Sequence, residues 1–162
     1  MITANAMILV MRINDYKKYS FITEHCCIMQ KSGHVWMLKA GKRIPEAKMS
    51  QVINDGGNIM LRGSKASGGK YYYAHAAEVK YGIPDASMTF PDYYNMMVAD
   101  PSLWSFDSLD GTWLKLSLLQ EVDPGLLEHI RLVSNGRTVD EAMRSSMTSF
   151  VYARSEDDLI IG

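Results

Sequence analysis

Cysteine is scarce in this chain. Its 162 residues include two, Cys26 and Cys27, and they are neighbours. A vicinal pair seldom forms a structural disulfide, and no third cysteine exists to bridge either one. A disulfide scaffold is therefore excluded, and both are expected as buried free thiols in an apolar stretch. Long hydrophobic runs are also missing: none approaches the roughly 20 residues that span a bilayer. The amino terminus lacks the basic patch, apolar core and small-residue cleavage site of a secretory signal. A cytoplasmic protein without a membrane partner is the expectation. Charge of one sign is missing too. With 17 basic and 18 acidic residues the chain is not a non-specific nucleic-acid coat, whose affinity comes from many cations releasing counterions. A pocket for one base on a lightly charged surface remains compatible.

Several chemical signatures are absent as well. None of the four histidines, His25, His34, His75 and His129, stands at ligand spacing to another His or Cys, so no metal site and no cofactor are expected. His25 beside Cys26 is no catalytic pair, because adjacent residues rarely face each other and the context is helical and apolar. The one glycine cluster, Gly63 to Gly69, joins two predicted strands rather than a strand to a helix, unlike a phosphate-binding fingerprint. Ser67 lacks the Gly-x-Ser-x-Gly spacing of a nucleophile elbow.

What is present reads as one globular domain spanning residues 1–162, with 47% apolar and 22% charged residues. Met1 to Ala6 precedes a second methionine, Met7, and reads as a cloning remnant or an alternative start. The tail from Ser155 is acidic. Ala6 to Ile13 is a continuous apolar run, as in a strand buried on both faces. Ser20 caps a helix through about Lys31, ended by Ser32-Gly33. His34 to Ala40 is a second strand, and Glu46 to Ile53 is a short helix opened by Pro45 and stopped by Asn54-Asp-Gly-Gly57.

Asn58 to Gly63 and Lys70 to Tyr81 then form a hairpin. A period of two puts Tyr71, Tyr73, His75, Ala77, Val79 and Tyr81 on one face and Lys70, Tyr72, Ala74, Ala76, Glu78 and Lys80 on the other. Pro91 opens a short helix through Ala99, followed by an irregular loop carrying Trp104, Phe106 and Leu109. Trp113 to Val122 is a strand with Leu114, Leu116 and Leu118 inward. Pro124 opens a helix through Val133, Thr138-Val-Asp-Glu141 is a capping box for a last helix, and Phe150 to Tyr152 returns as a strand. The order β-α-β-α-β-β-(α)-β-α-α-β predicts an α+β fold: a small mixed β-barrel or curled sheet flanked by short helices.

Three segments give a family resemblance. Trp36-Met-Leu-Lys39 is similar to the early aromatic-apolar-apolar-lysine strand of EVE-type domains in the PUA-like superfamily. Asp55-Gly-Gly-Asn-Ile-Met-Leu-Arg-Gly-Ser64 resembles their turn, apolar strand and terminal serine. Ala76-Ala-Glu-Val79 with Ile83-Pro-Asp85 resembles their returning strand and Pro-Asp turn. The order of a Trp-bearing strand and a Pro-Gly-Leu-Leu segment over Trp113 to Leu127 also fits. The chain departs from that pattern where Ala40-Gly41 stand in place of Glu-Pro, where the arginine- and asparagine-bearing segment between the first two motifs is missing, and where Arg62-Gly63 replace an aromatic. The resemblance implies a pocket between barrel strands that holds a flipped or modified base of DNA or RNA.

On that expectation Trp36, Trp104 and one of Tyr71 or Tyr73 stack on the base, each contact worth roughly 1–3 kcal/mol. Lys39, Arg62 and Lys65 hold phosphates or the base edge, and Ser64 hydrogen-bonds. The central pairing is Trp36 and Lys39 with Arg62 and Ser64 across neighbouring strands. Trp104 is the lid candidate, with docking onto its own core as the competing outcome, and Trp113 is half-exposed or covered by the same loop. Core packing competes at every aromatic position. Two other readings stand beside base binding: an RNA-processing enzyme like the PUA-like ASCH group, using Lys65, Tyr72, Glu78 and Lys80 as an acid/base cluster, and a protein-interaction module.

Overall fold

The structure is a computed structural model in which residues 1–64, 68–145 and 148–161 are described. The first apolar run forms β1 (Ile8–Arg12). Its odd and even side chains enter two different cores, Leu9 and Met11 one, Ile8 and Val10 the other. Helix α1 (Phe21–Ser32) starts where the Ser20 hydroxyl accepts the Thr23 N–H and ends where Gly33, at φ 82°, donates its N–H to the Met29 carbonyl. Strand β2 (Val35–Ala40), helix α2 (Glu46–Asn54) and strand β3 (Asn58–Arg62) follow. After the hairpin come β4 (Tyr71–Gly82), α3 (Tyr93–Val98) and β5 (Gly111–Glu121). Where a helix through Val133 was expected there is a single 3-10 stretch, Pro124–His129, and then a short strand, β6 (Arg131–Leu132). Helix α4 (Val139–Ser145) and strand β7 (Phe150–Arg154) close the described chain.

The strands form one seven-stranded mixed sheet in the order β2-β5-β4-β3-β1-β7-β6, in which β1 and β3 are parallel and every other pair is antiparallel. Five inter-strand steps separate β2 from β7, about 24 Å in a flat sheet. Yet the Lys39 Nζ atom of β2 lies 5.6 Å from the centroid of the Phe150 ring of β7. The sheet is therefore curled until its β2 edge approaches β7. It does not close into a barrel. The N–H groups on the free edge of β2 are taken by other partners: Trp36 donates to the Thr89 carbonyl at 2.9 Å, and Leu38 to the Tyr94 hydroxyl at 3.3 Å. With those donors satisfied, no ladder forms across the seam.

Helices α1 and α2 pack on one face, against Leu9, Met37, Ile59, Leu61, Leu114 and Leu116. The opposite face carries two further cores. One gathers Met60, Tyr71, Tyr73, Leu127 and Met143 below α4, and the other gathers Trp36, Leu38, Trp113, Tyr93 and Tyr94 below α3. The amino-terminal segment belongs to the fold: Ile2 is buried, exchanging backbone hydrogen bonds of 2.8 and 2.9 Å with Leu159. The two thiols are free, but Cys26 is half-buried and Cys27 exposed, because α1 turns its Phe21 and His25 face inward.

The expected alternation along β4 holds only halfway. Tyr72 and Ala74 pack with the α1/α2 core, and so do Val79 and Tyr81, although their sequence parity differs. Register shifts between His75 and Ala76, and between Ala76 and Glu78, insert one unpaired residue in each strand, Ser117 of β5 and Ala77 of β4. Each such bulge swaps the faces of everything beyond it. Leu118 consequently turns outward, and Leu119 takes the core position expected of it. Gly57 accommodates the bulge: it has φ +68°, and a Cβ there would lie 2.2 Å from the Ala76 carbonyl oxygen.

Candidate functional site

The seam between β2 and the β1/β7 side holds a cavity of about 310 Å³. Met37, Leu38 and Lys39 line it from β2, and Met11, Arg12 and Ser149 from the opposite side. Aromatic rings complete the wall: Phe21 of α1, Tyr93 and Tyr94 of α3, and Phe106 of the following loop. Lys39 shares the inward-facing parity of Val35 and Met37, so its ammonium sits at this opening. There it donates to the carbonyls of Ala40 at 2.7 Å and Lys42 at 3.3 Å. Burial, and secondarily the charge of Lys42, pushes its pKa down.

A buried relay fixes the floor. His25 is fully buried, with Nδ1 2.7 Å from the Phe21 carbonyl and Nε2 2.7 Å from the Tyr94 hydroxyl. A carbonyl can only accept, so Nδ1 carries the proton and Nε2 accepts from Tyr94, whose oxygen in turn accepts the Leu38 N–H. Burial lowers the His25 pKa to about 4, so the ring is neutral near pH 7. Burial also raises the Tyr94 phenol well above its ordinary value. The neighbouring Tyr93 is different. It is 2% exposed, and its hydroxyl makes no hydrogen bond of good geometry among the described residues, although it lies close enough to the Tyr94 hydroxyl for the two phenols to influence each other.

The residues expected to form a site are dispersed. Trp36 is 3% exposed and Trp113 is fully buried. Their rings lie in the α3 core, Trp36 with Lys80 Nζ 5.3 Å from its centroid, and Trp113 donating from Nε1 to the carbonyls of Gly82 and Leu109 at 3.1 and 3.0 Å. Neither offers an open ring face for stacking. Tyr71 and Tyr73 are buried in the α4 core, where the Tyr73 hydroxyl donates to Asn58 Oδ1 at 2.7 Å. Arg62 is also on that side, with Cζ 5.9 Å from the Tyr71 centroid. Ser64 is half-buried beside Gly63 and Tyr72 at a small cavity of about 50 Å³. Lys65 lies outside the described residues.

The expected pairing of Trp36 and Lys39 with Arg62 and Ser64 across neighbouring strands does not form, because β5 and β4 stand between β2 and β3. Lys39 alone of that group reaches the seam cavity. Trp104 is 86% exposed, while Leu103, Phe106 and Leu109 of its loop pack onto the α3 core. The loop docks and leaves the indole out. Of the acid/base cluster, Tyr72 faces the α1/α2 core, whereas Lys80 lies over Trp36 and pairs with Asp85 at 3.0 Å on the other face. The bulge separates them.

Phe21, Tyr93, Tyr94 and Arg12 line the cavity although no sequence motif marks them, and Phe106 joins them from the loop that carries Trp104. The adjacent pair Tyr93-Tyr94 after Pro91-Asp92 was the available signal, since two aromatics in so short a helix must dock against something. Among the described residues no group of three or more His, Cys, Asp or Glu side chains could hold a metal ion, and no helix is long and apolar enough to cross a membrane. No family model, curated protein or solved structure matches this chain.

Proposed function

We propose that the protein is a nucleic-acid-binding module that takes one unstacked base of DNA or RNA, flipped or modified, into the seam cavity. One observation carries this reading: an aromatic-walled cavity of about 310 Å³ is lined by Tyr93, whose buried hydroxyl makes no hydrogen bond of good geometry among the described residues, and by Lys39, whose ammonium sits at the same seam. A base is flat and apolar on its faces and polar on its edge, so it needs ring walls together with a few placed polar groups. The cavity lies at the small end of the range for ligand pockets, roughly 300–1,000 Å³, which suits one ring system. A nearly neutral chain also suits recognition of a single base better than coating of a strand. The PUA-like resemblance points the same way, since it implies a base held between barrel strands. In this reading Lys39 keeps its assigned role, Tyr93 and Phe106 replace Trp36 and Trp113, and the exposed Trp104 stacks on a flanking base. No cofactor takes part.

The test is fluorescence anisotropy with short single-stranded DNA and RNA, unmodified and base-modified, at low salt. Tyr93→Phe removes a hydroxyl that makes no hydrogen bond of good geometry among the described residues, so the melting temperature stays level or rises, while affinity falls about fivefold. Lys39→Met weakens binding to every sequence and reduces the salt slope by about one. Absence of binding across the panel, or unchanged affinity in both variants, overturns the reading.

A further inference from the structure

Arg62 is 6% exposed, and among the described residues no carboxylate pairs with it. Its Nε is buried without a hydrogen-bond partner. Its Cζ lies 5.9 Å from the centroid of the Tyr71 ring. Directly beside it, in register on the parallel strand β1, is Arg12, close enough for the two charges to oppose each other. Arg12 is supplied with acceptors: Nε donates to the Thr148 carbonyl at 3.1 Å, and Nη2 to the Met143 carbonyl near the end of α4. The carboxylate at this cluster is Asp140, which accepts from the Tyr71 hydroxyl at 3.2 Å and is already paired with Arg144 at 3.2 Å. Arg144 is thus the arginine that Asp140 pairs with, and Arg62 has no ion pair with a carboxylate among the described residues. The most buried arginine of this cluster, Arg62, keeps an Nε donor that no described residue accepts.

A buried guanidinium without an anion is an expensive arrangement, because desolvation of the charge is not offset by any Coulombic partner. The planar fork of Arg is suited to an oxyanion, which it engages through two parallel N–H donors. Gly69 borders the group: a Cβ at that position would lie 3.9 Å from Arg62 Nη2, so the chain there presents no side chain to the guanidinium.

We infer that the protein binds a tetrahedral oxyanion of the phosphate class, free or esterified, at Arg62 with Arg12 beside it. The Tyr71 hydroxyl borders this site. It lies on the α4 face of the sheet and does not depend on the seam cavity being a base pocket.

The experiment is thermal melting of the full chain in inorganic phosphate against chloride at matched ionic strength. Phosphate is expected to raise the melting temperature saturably, by roughly 5–10 °C at a hundredfold excess over Kd. In Arg62→Met the phosphate effect disappears, while the melting temperature in chloride is unchanged or higher, since the substitution removes an unpaired buried charge. A second measurement needs no variant: the Arg62 Nε–Hε resonance shifts on phosphate titration of the wild-type protein. No rise beyond chloride, a rise that survives in Arg62→Met, or an unmoved Nε–Hε resonance overturns the inference.

Parallel arms with a nucleoside 5′-monophosphate and a short single-stranded oligonucleotide distinguish the source of the phosphate by which binds at the lowest concentration. Tyr93→Phe leaves the inorganic-phosphate response intact. A phosphate response without base binding therefore removes the seam reading alone, and base binding without a phosphate response removes this site alone.

Discussion

His25 Nε2 accepts the hydroxyl proton of Tyr94 across 2.7 Å, joining α1 to α3 inside the protein, and the same phenol oxygen receives the Leu38 N–H of β2. One hydroxyl thus ties two helices to the free edge of the sheet and occupies a donor that barrel closure would need.

The pH dependence of stability follows from the histidine. Its pKa falls from 6.5 in the unfolded chain to about 4 in the folded protein, because burial disfavours the imidazolium. The unfolded state therefore binds more protons between these values, and stability rises with pH across that interval. The contribution is complete above about pH 6.5 and is lost as pH falls toward 4, by about 3 kcal/mol at most. Urea midpoints at pH 7.5 and pH 5 measure it. In His25→Gln the difference shrinks by most of that amount, and an unchanged difference would place the titration elsewhere.

Tyr93 and Tyr94 are neighbours with opposite expected responses to loss of their hydroxyls. Tyr94→Phe strands both His25 Nε2 and the Leu38 N–H, each a buried group costing about 1–3 kcal/mol when unpaired. Equilibrium denaturation should show that loss, whereas Tyr93→Phe should be neutral or stabilising. Equal effects from the two substitutions would contradict the hydrogen-bond assignment.

The three tryptophans divide into two buried and one exposed. Trp104→Ala is expected to change stability by less than about 0.5 kcal/mol and to remove the red-shifted, acrylamide-quenchable part of the emission. Trp113→Ala opens a core cavity and costs about 3–5 kcal/mol. Comparable quenching of all three indoles would show that the α3 core is open.

Gly57→Ala tests the bulge. Its backbone has φ +68°, and the added methyl would meet the Ala76 carbonyl oxygen at 2.2 Å. Because backbone atoms cannot yield as side chains do, the loss should exceed about 1 kcal/mol. Guanidinium unfolding would register it, and a neutral result would mean that β4 slips its register freely.

Much of the element order was legible because it depends on local patterns. The apolar run of β1, the Ser20 and Gly33 caps of α1, the Asn54–Gly57 stop and the position of the β3–β4 hairpin are properties of a few adjacent residues. The stretch 124–133 departs from the helix its sequence predicts because Pro124 opens 3-10 and α turns alike. What followed was decided by β7, which offers Arg131 and Leu132 a partner. The candidate site was hardly legible. A two-residue period cannot foresee the bulges at Ala77 and Ser117, which depend on how two distant strands meet.

The amino-acid sequence alone determined an α+β chain of nearly balanced charge, its α1 caps and most of its strands, since each rests on side-chain chemistry read over a few residues. Tertiary structure decided the rest. It set the strand order that separates Lys39 from Arg62, the curl that brings Lys39 to Phe150, and the burial of Trp36 and Trp113. It also left the Tyr93 hydroxyl and Arg62 Nε buried without a hydrogen bond of good geometry among the described residues. Whether a polar group is satisfied depends on every chain segment that converges on it, and that convergence has no local signature.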